Sequence, residues 1–543
     1  MQSRLRTSRG LAAATVSGGL FFAAFPPLDC GVLALVAFVP LLLTLRKSTP
    51  AQAFACGWWM GTLGCSLLVS PSIYTAAANY FHGATWMYGG FALLAPQLYA
   101  APYFGLFALV ARDALQPGRG KVRLWQIPAA WVAIDFARAN VWHGCPWVLL
   151  GHSMHAHPAW IQIADLAGVY GISFVLQAVN VAIACLLQPR SPSAGTRAPS
   201  AVSARSGSEL RGFVSTVAVL VAATLAYGIW QLGRWDALTG EPLRVALVQP
   251  NLPRRQRASA LQASAAVDRL RELTRGIDEP AAGTVPSSLD PASPPHTNGV
   301  DLVIWPENAI GFVLPANQSL LARMAQDLPP QARLLVGSPR VVEGAGAPFR
   351  NSAFLVDAGG SILDHYDKIR LTPYAEAAPF GSSSSLGRRF VAADTYGPGE
   401  ERTLFVLGDH RFAALICFEA IYPDLVRQFV AEGAQLLVNL SNDDWFGDRA
   451  AIEQHLIAVL FRAVESRRFL LRDTNTGRTA ILDPAGRVVA ELPRDRADVL
   501  IGSARAVDEL TIYTRYGDLF AVGCVGLTLA TLAVRRRRAP ATV

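Results

Sequence analysis

Charge is scarce in this chain of 543 residues: Asp, Glu, Lys and Arg make up 16% of it, against about 25% in an average soluble domain. That deficit argues against an ordinary water-soluble enzyme. Cysteine is sparse as well. Seven residues with no Cys-x-x-Cys pair fit neither a zinc site nor a disulfide scaffold. Internal repeats are absent. What the chain has instead is apolar surface, 52% hydrophobic residues, far too much for a disordered polypeptide. Its net charge of +8 would indicate a nucleic-acid partner only if the basic residues formed a patch.

They mark the ends of apolar runs. A helix needs about 20 mostly apolar residues to cross a bilayer, and eight runs qualify or come near: roughly 10–25, 32–45, 52–72, 84–111, 122–137, 160–187, 212–233 and 516–534. The first follows Arg4, Arg6 and Arg9 and is read as a retained span, because more apolar runs follow at once and no clear small-residue cleavage site is present. Basic residues crowd the N-terminal tail, alternate loops and the C-terminal tail (Arg535–Arg538), whereas the short loops of the opposite side hold only Arg138. The positive-inside rule then places both termini in the cytoplasm. Residues 1–239 are expected to form a membrane domain of about seven transmembrane helices, 240–515 an extracytoplasmic domain, and 516–543 a last helix with a basic cytoplasmic tail. Topology accounts for the basic excess, so no nucleic-acid partner is expected. The Gly-, Ser-, Pro- and Arg-rich stretch 188–211 reads as a flexible cytoplasmic loop, and 279–299 as a surface insertion.

The external segment alternates β-rich runs (243–251, 301–305, 333–337, 352–357, 412–418, 435–440) with helical ones (260–277, 420–432, 451–471), the pattern of an α/β layered domain. Reactive side chains gather at strand ends in such folds. Glu307 follows the strand VIW, Lys368 lies in HYDKIRLTPYAE, and Cys417 closes the strand AALIC. A cysteine thiolate can attack a carbonyl, a carboxylate can take the thiol proton, and a lysine can steady the oxyanion. Together these would make a covalent acyl-transfer site. Spacing alone leaves bland alternatives open. Cys417 can be a core residue, Glu307 a helix cap, Lys368 a solvated hairpin residue, and NLSNDDWFG at 439–447 a turn capped by Asn442 or Asp443. Asp135 and Arg138 read as a structural pair on one helix. Trp142, His143 and Trp147, in an outer loop, read chiefly as interface anchors.

The motifs VIWPENAIGF, YDKIRLTPYAE, LICFEAIYPDLV and NLSNDDWFGD, in that order, resemble the Glu, Lys and Cys boxes of the nitrilase superfamily. With spans before and after them, and with WVAIDFARANVWHGCPWVLLGHS at 131–153, the whole chain resembles the apolipoprotein N-acyltransferase family. That resemblance implies an αββα sandwich outside the membrane, with Glu307 as general base, Lys368 as oxyanion-stabilising cation and Cys417 as nucleophile. Glu376 and Glu419 match two further acidic positions and would shape the charge of the site. Asn442 is a supporting candidate, and Trp445 and Phe446 are candidates to line an acyl channel.

The family reaction is ping-pong. An acyl chain passes from a phospholipid, with phosphatidylethanolamine the expected donor, to Cys417 as a thioester. It then passes to the α-amino group of a diacylglyceryl-cysteine apolipoprotein. The resemblance further implies a monomer in the inner membrane, with no metal and no diffusible cofactor. Departures are visible: Tyr374 and Ala375 stand where Phe and Gly are usual, Asn-Ala-Ile-Gly follows Glu307, and Phe418 replaces a common tyrosine. Two rival readings remain: an amidase that uses water as acceptor, and a transporter or receptor whose external domain only binds.

Overall fold

The computed structural model describes residues 2–80, 85–116, 122–141, 144–188, 201–252, 260–277, 299–314, 318–342, 349–373, 375–377 and 396–538. The N-terminal part is helical: α1 (Gln2–Ala23), α2 (Val39–Leu45), α3 (Pro50–Tyr80), α4 (Thr85–Tyr99), α5 (Ala101–Ala114), α6 (Val122–Asn140), α7 (Pro158–Ile161), α8 (Ala164–Leu187) and α9 (Ala201–Asp236). Among the described residues, four helical stretches are long and apolar enough to cross a membrane: Pro50–Asn79, Thr85–Ala114, Ala164–Leu187 and Ser208–Asp236.

The run expected to span at 32–45 is a 3-10 turn, Gly31–Leu35, followed by the seven residues of α2. Seven helical residues cover only about a third of a bilayer, and α2 buries Val39, Leu41, Leu42 and Leu45 inside the bundle. The loop expected at 188–211 also differs, because α9 already begins at Ala201; the remainder of that stretch, most of the 279–299 insertion, Trp142, His143 and Tyr374 lie outside the described residues. Asp135 and Arg138 do pair, at 3.3 Å, one helical turn apart on α6.

Residues 243–504 build two six-stranded sheets. The first holds β1 (Leu243–Gln249), β2 (Leu302–Trp305), β3 (Arg333–Val341), β4 (Phe349–Val356), β5 (Ile362–Asp367) and β12 (Asp498–Ala504), in the order β12-β1-β2-β3-β4-β5. The second holds β6 (Phe405–Leu407), β7 (His410–Ile416), β8 (Leu436–Ser441), β9 (Leu470–Thr474), β10 (Thr479–Leu482) and β11 (Val488–Leu492), in the order β11-β10-β9-β8-β7-β6. Each sheet has a parallel core, β1-β2-β3 or β7-β8-β9, with antiparallel strands on both flanks. At the flank, β12 lies antiparallel to β1 and sets Ala504 opposite Leu243.

Period-2 alternation explains the layers. In the first sheet Val245, Leu247, Leu302, Ile304, Leu335 and Leu355 join the core shared with the second sheet. Their neighbours Ala246, Val248, Val303, Trp305, Leu334, Val336 and Phe354 pack against α10 (Ala260–Arg275) and α11 (Gln318–Ala325). The second sheet is flanked by α12 (Pro423–Ala431) and α13 (Arg449–Ser466). This is the αββα sandwich that the resemblance implies. A five-residue helix, α14 (Ile512–Tyr516), and the 20-residue α15 (Leu519–Arg538) follow the sandwich.

The long helix expected at 451–471 ends earlier. Arg467 is left-handed (φ 53°) and stops α13, and Leu470 and Leu471 belong to β9. Its N-cap is Asp448, which accepts from the Ala450 amide at 3.2 Å, so neither Asn442 nor Asp443 has that role. A helix buried on nearly every side must have partners all round, and α13 has them: only Glu453 is not fully buried between Ala450 and Ser466.

One face of α13 meets the second sheet and the other meets the membrane helices. Gln454 accepts from the Trp147 indole at 2.7 Å and donates to the Pro26 carbonyl at 3.0 Å. In α8, Gly168 takes φ 65° and breaks the helix, and the Val169 amide donates to Glu465 at 3.0 Å. Arg467 clasps Asp165 of α8 at 2.7 Å and donates to the side-chain and main-chain oxygens of Gln162.

Both ends of the Arg467–Asp165 pair are buried, so removing one leaves a charge without compensation. Arg467→Met is expected to destabilise the detergent-solubilised protein by roughly 3–5 kcal/mol, read as a lower thermal midpoint. An unchanged midpoint would remove this pair as the clasp between the two parts of the chain.

Candidate active site

Glu307, Lys368 and Cys417 come from three separate strand ends and meet in one buried pocket. Glu307 follows β2, Lys368 follows β5 and Cys417 follows β7. All three are nearly closed to solvent, with Lys368 1% and Cys417 7% exposed. Glu376 joins them. Its Oε2 lies 2.7 Å from Lys368 Nζ, whereas Glu307 Oε1 lies 3.7 Å from the same nitrogen. Asn351, on β4, donates to Glu307 Oε1 at 2.8 Å and to Glu376 Oε1 at 2.6 Å, holding both carboxylates at a fixed separation. Thr372 closes the loop. Its hydroxyl accepts from Lys368 Nζ at 3.2 Å, and its amide donates to Glu376 at 2.8 Å.

Two carboxylates around one ammonium leave an excess negative charge, and the titration of the pocket follows from that. Burial alone would lower the Lys368 pKa, but Glu376 and Glu307 overcome it and hold the ammonium charged above its usual range. Glu376, in direct contact with Lys368, stays below the carboxylate range despite its burial. For Glu307 burial wins: its carboxyl is raised, against the pull of Lys368 and with a push from Glu376. Burial also pushes the Cys417 thiol up, the Glu307 charge adds to that, and Lys368 opposes it. At neutral pH the thiol therefore keeps its proton. Glu307 and the Cys417 thiol influence each other's titration, and Glu307 Oε2 has no hydrogen-bond partner among the described residues.

The chain around Cys417 is strained. Cys417 has φ 56°, a left-handed conformation costing on the order of 1–3 kcal/mol for a residue with a side chain. Glu419 over-determines it. One of its oxygens accepts from the Ile416 amide at 3.0 Å. The other accepts from the Ile369 and Arg370 amides (2.9 and 3.1 Å) and from the Tyr366 hydroxyl (2.6 Å). Glu419 thus ties the turn carrying Cys417 to the loop carrying Lys368. Burial raises its carboxyl, and these hydrogen bonds oppose the rise. Asn439 donates to the Leu415 and Cys417 carbonyls (3.0 and 3.3 Å) and holds the end of β7 from beside it.

Beyond the sulfur, Ser441 ends β8 with its hydroxyl 3.5 Å from Cys417 Sγ and 2.9 Å from Asp443 Oδ1. Asp443 is held by Arg472 at 2.8 Å and lies 3.2 Å from His455 Nδ1. Arg472 keeps the Asp443 carboxylate ionised far below its usual range although burial opposes this. Burial and Arg472 keep His455 neutral. Trp147 stacks on Phe418 (centroids 5.7 Å apart, 16°) and packs against Phe446 and His455. Arg138 fixes this tryptophan through the Trp147 carbonyl, at 2.7 Å. The rim after β8 is tied to α3: Thr75 and Ser72 donate to the Phe446 carbonyl (2.5 Å) and to Asp448 (2.9 Å).

Of the residues singled out from sequence, five gather here: Glu307, Lys368, Cys417, Glu376 and Glu419. Asn442 turns away and accepts from Asn475 at 3.3 Å. Trp445 is half-buried in the turn Asp443–Trp445, and Phe446 is the residue that packs on Trp147. Sequence reasoning missed Asn351, Ser441, His455 and Arg472. Ser441 stood inside a quoted motif, but the other three carried no local signal. All seven cysteines are free, Cys417 among them.

A thiol, a carboxylate and an ammonium at the strand ends of an αββα sandwich define a carbon-nitrogen-hydrolase domain, and the carbon-nitrogen hydrolase family matches residues 244–508. The apolipoprotein N-acyltransferase N-terminal domain matches residues 17–182. An apolipoprotein N-acyltransferase of Geobacter metallireducens is 32% identical over 96% of this chain and 95% of its own length. One of Azotobacter vinelandii is 30% identical over 96% and 95%, and one of Brucella melitensis 29% identical over 90% and 88%. The chain belongs to the apolipoprotein N-acyltransferase family.

The raised Glu307 carboxyl gives the thiol a defined acid limit. Alkylation of Cys417 by iodoacetamide is expected to slow as pH falls through the Glu307 pKa, at a pH above the ordinary glutamate value of about 4.3. Glu307→Gln is expected to lower the rate about 100-fold and to abolish that limb. A wild-type limb at or below the ordinary glutamate value would contradict the assignment.

Proposed function

We propose that this chain N-acylates apolipoproteins at the membrane surface through a thioester on Cys417. Glu307 takes the thiol proton as sulfur attacks the ester carbonyl of a phospholipid, phosphatidylethanolamine being the donor we favour. Negative charge develops on the carbonyl oxygen. Lys368 has three N–H donors, of which Glu376 and Thr372 take two; the third serves the oxyanion. Collapse breaks the C–O ester bond, Glu307 returns its proton to the leaving glycerol oxygen, and a lysophospholipid departs.

In the second half-reaction the neutral α-amino group of a diacylglyceryl-cysteine attacks the thioester. Glu307 accepts a proton from nitrogen, the C–S bond breaks, and the proton passes to the sulfur. Atoms balance without metal or diffusible cofactor. Glu376 holds Lys368 charged, and Glu419 holds the loops of Lys368 and Cys417 together.

The observation that carries this reading is the contact between nucleophile and membrane domain. Phe418, next to Cys417, stacks on Trp147, which follows α6, and the rim at Phe446 hydrogen-bonds α3. A nitrilase-type thiol beside apolar helices suits substrates whose acyl chains stay in a bilayer, and an amidase has no need of such a neighbour. We place the protein in the inner membrane as a multi-pass monomer, with both termini cytoplasmic and residues 240–515 periplasmic. The basic residues on one side of the chain support this orientation.

Intact-protein mass spectrometry after incubation with phosphatidylethanolamine tests the reading. A hydroxylamine-labile gain of one acyl chain is expected on the wild type and not on Cys417→Ala. Intact lipid with no adduct on the wild type would rule the thioester out and bring a binding or amidase role forward.

A further inference from the structure

The register of the second sheet brings a hydroxyl to the reacting sulfur. β7 and β8 are parallel with Ile416 opposite Leu440, so the next residues along, Cys417 and Ser441, are side by side where both strands end. Ser441 is fully buried and its Oγ is within hydrogen-bonding range of two acceptors, Cys417 Sγ at 3.5 Å and Asp443 Oδ1 at 2.9 Å. A hydroxyl carries one proton and can donate to only one of them at a time. We propose that Ser441 is a switchable donor: its O–H donates to Asp443 while Cys417 is a thiol and turns to Cys417 Sγ when the sulfur becomes anionic. This role rests on the acyl-enzyme reading given above, and it adds Ser441 as a catalytic residue in contact with the reacting atom.

The surroundings favour such a switch. Both acceptors are within reach, so only a rotation about the C–O bond is required and no heavy atom moves. Asp443 tolerates the loss of one donor, because Arg472 Nη2 contacts both of its oxygens, at 2.9 and 2.8 Å. The sulfur does not tolerate its absence so well. Once Glu307 has taken the proton, Asp443 still faces the anionic sulfur with negative charge, and Lys368 is the cation that opposes it. His455, above the pocket on α13, is neutral.

Proton accounting is simple. The S–H bond breaks and its proton goes to Glu307 Oε2, the S–C bond forms, and the Ser441 O–H bond never breaks. In the second half-reaction the sulfur leaves as an anion, and the same hydroxyl receives it. Ser441 therefore acts twice in each cycle, whereas Glu307 shuttles protons and Lys368 serves the carbonyl oxygen.

The test uses the full-length protein in detergent and follows Cys417 alkylation by iodoacetamide against pH, by intact mass. A hydrogen bond to a charged group lost from a buried site slows formation of the anion about tenfold. Ser441→Ala is expected to alkylate about tenfold more slowly at pH 8, with its profile displaced to higher pH. Ser441→Thr, which keeps the hydroxyl, is expected to restore the wild-type profile. Ser441→Gly removes the hydroxyl without adding a methyl group and gives the same answer where the packing rejects alanine. A packing role would lower the thermal midpoint and leave the profile in place. An Ala or Gly profile that overlays the wild type overturns the role of Ser441 alone. Wild-type protein whose Cys417 does not react at all overturns the acyl-enzyme reading, and this inference with it.

Discussion

Everything in the pocket depends on keeping one ammonium where water hardly reaches. An isolated buried charge costs several kcal/mol even after relaxation, so Lys368 requires partners, and the chain supplies Glu376 at contact and Glu307 one step further away. The second carboxylate makes the balance negative. Burial, reinforced by that surplus, keeps the Cys417 thiol protonated and raises the Glu307 carboxyl. The resting sulfur is therefore held as a thiol. Asn351, bonded to both carboxylates, holds them at a fixed separation.

Helix α13 transmits the position of the membrane helices to this pocket. Along one helix, Gln454 reaches Trp147 and Pro26, Glu465 reaches the break in α8, and the left-handed Arg467 reaches Asp165. His455 sits on the same helix beside Asp443. The same helix therefore contacts both the bundle and the residues that surround the sulfur.

Much of the site could be read in the sequence, and the reason is local. Glu307 and Cys417 each follow an apolar β-rich run, and Lys368 sits in a motif that keeps Glu376 eight residues away, so short windows contain the chemistry. Asn351, Arg472 and His455 lie on separate elements whose meeting depends on strand order, which no window contains. The end of α13 was misplaced for a related reason. Phe469, Leu470 and Leu471 continue the apolar pattern of the helix, and a short apolar run does not distinguish helix from buried strand. Strands β9 and β10 went unread because polar residues in them, Arg472 and Thr479, are buried against partners from elsewhere in the chain, whereas in β5 exposed polar residues interrupt the apolar run. In the membrane part, the short α2 shows that apolarity alone does not measure a span. Its side chains are buried by neighbouring helices rather than offered to lipid.

The pairing of β1 with β12 has a further meaning. Leu243, near the point where the chain enters the sandwich, faces Ala504, near the point where it leaves, about 5 Å away across one ladder. Arg505 donates to the Gly240 carbonyl at 3.1 Å, and Arg487 to Asp236 at 2.5 Å, cinching the neck. To the helical bundle, the whole sandwich is a loop whose two ends are already knotted together. Closing such a loop costs the bundle far less entropy than closing a floppy loop of the same length. The chain therefore enters and leaves the sandwich at one place, while α13 fastens the sandwich to the bundle at several others.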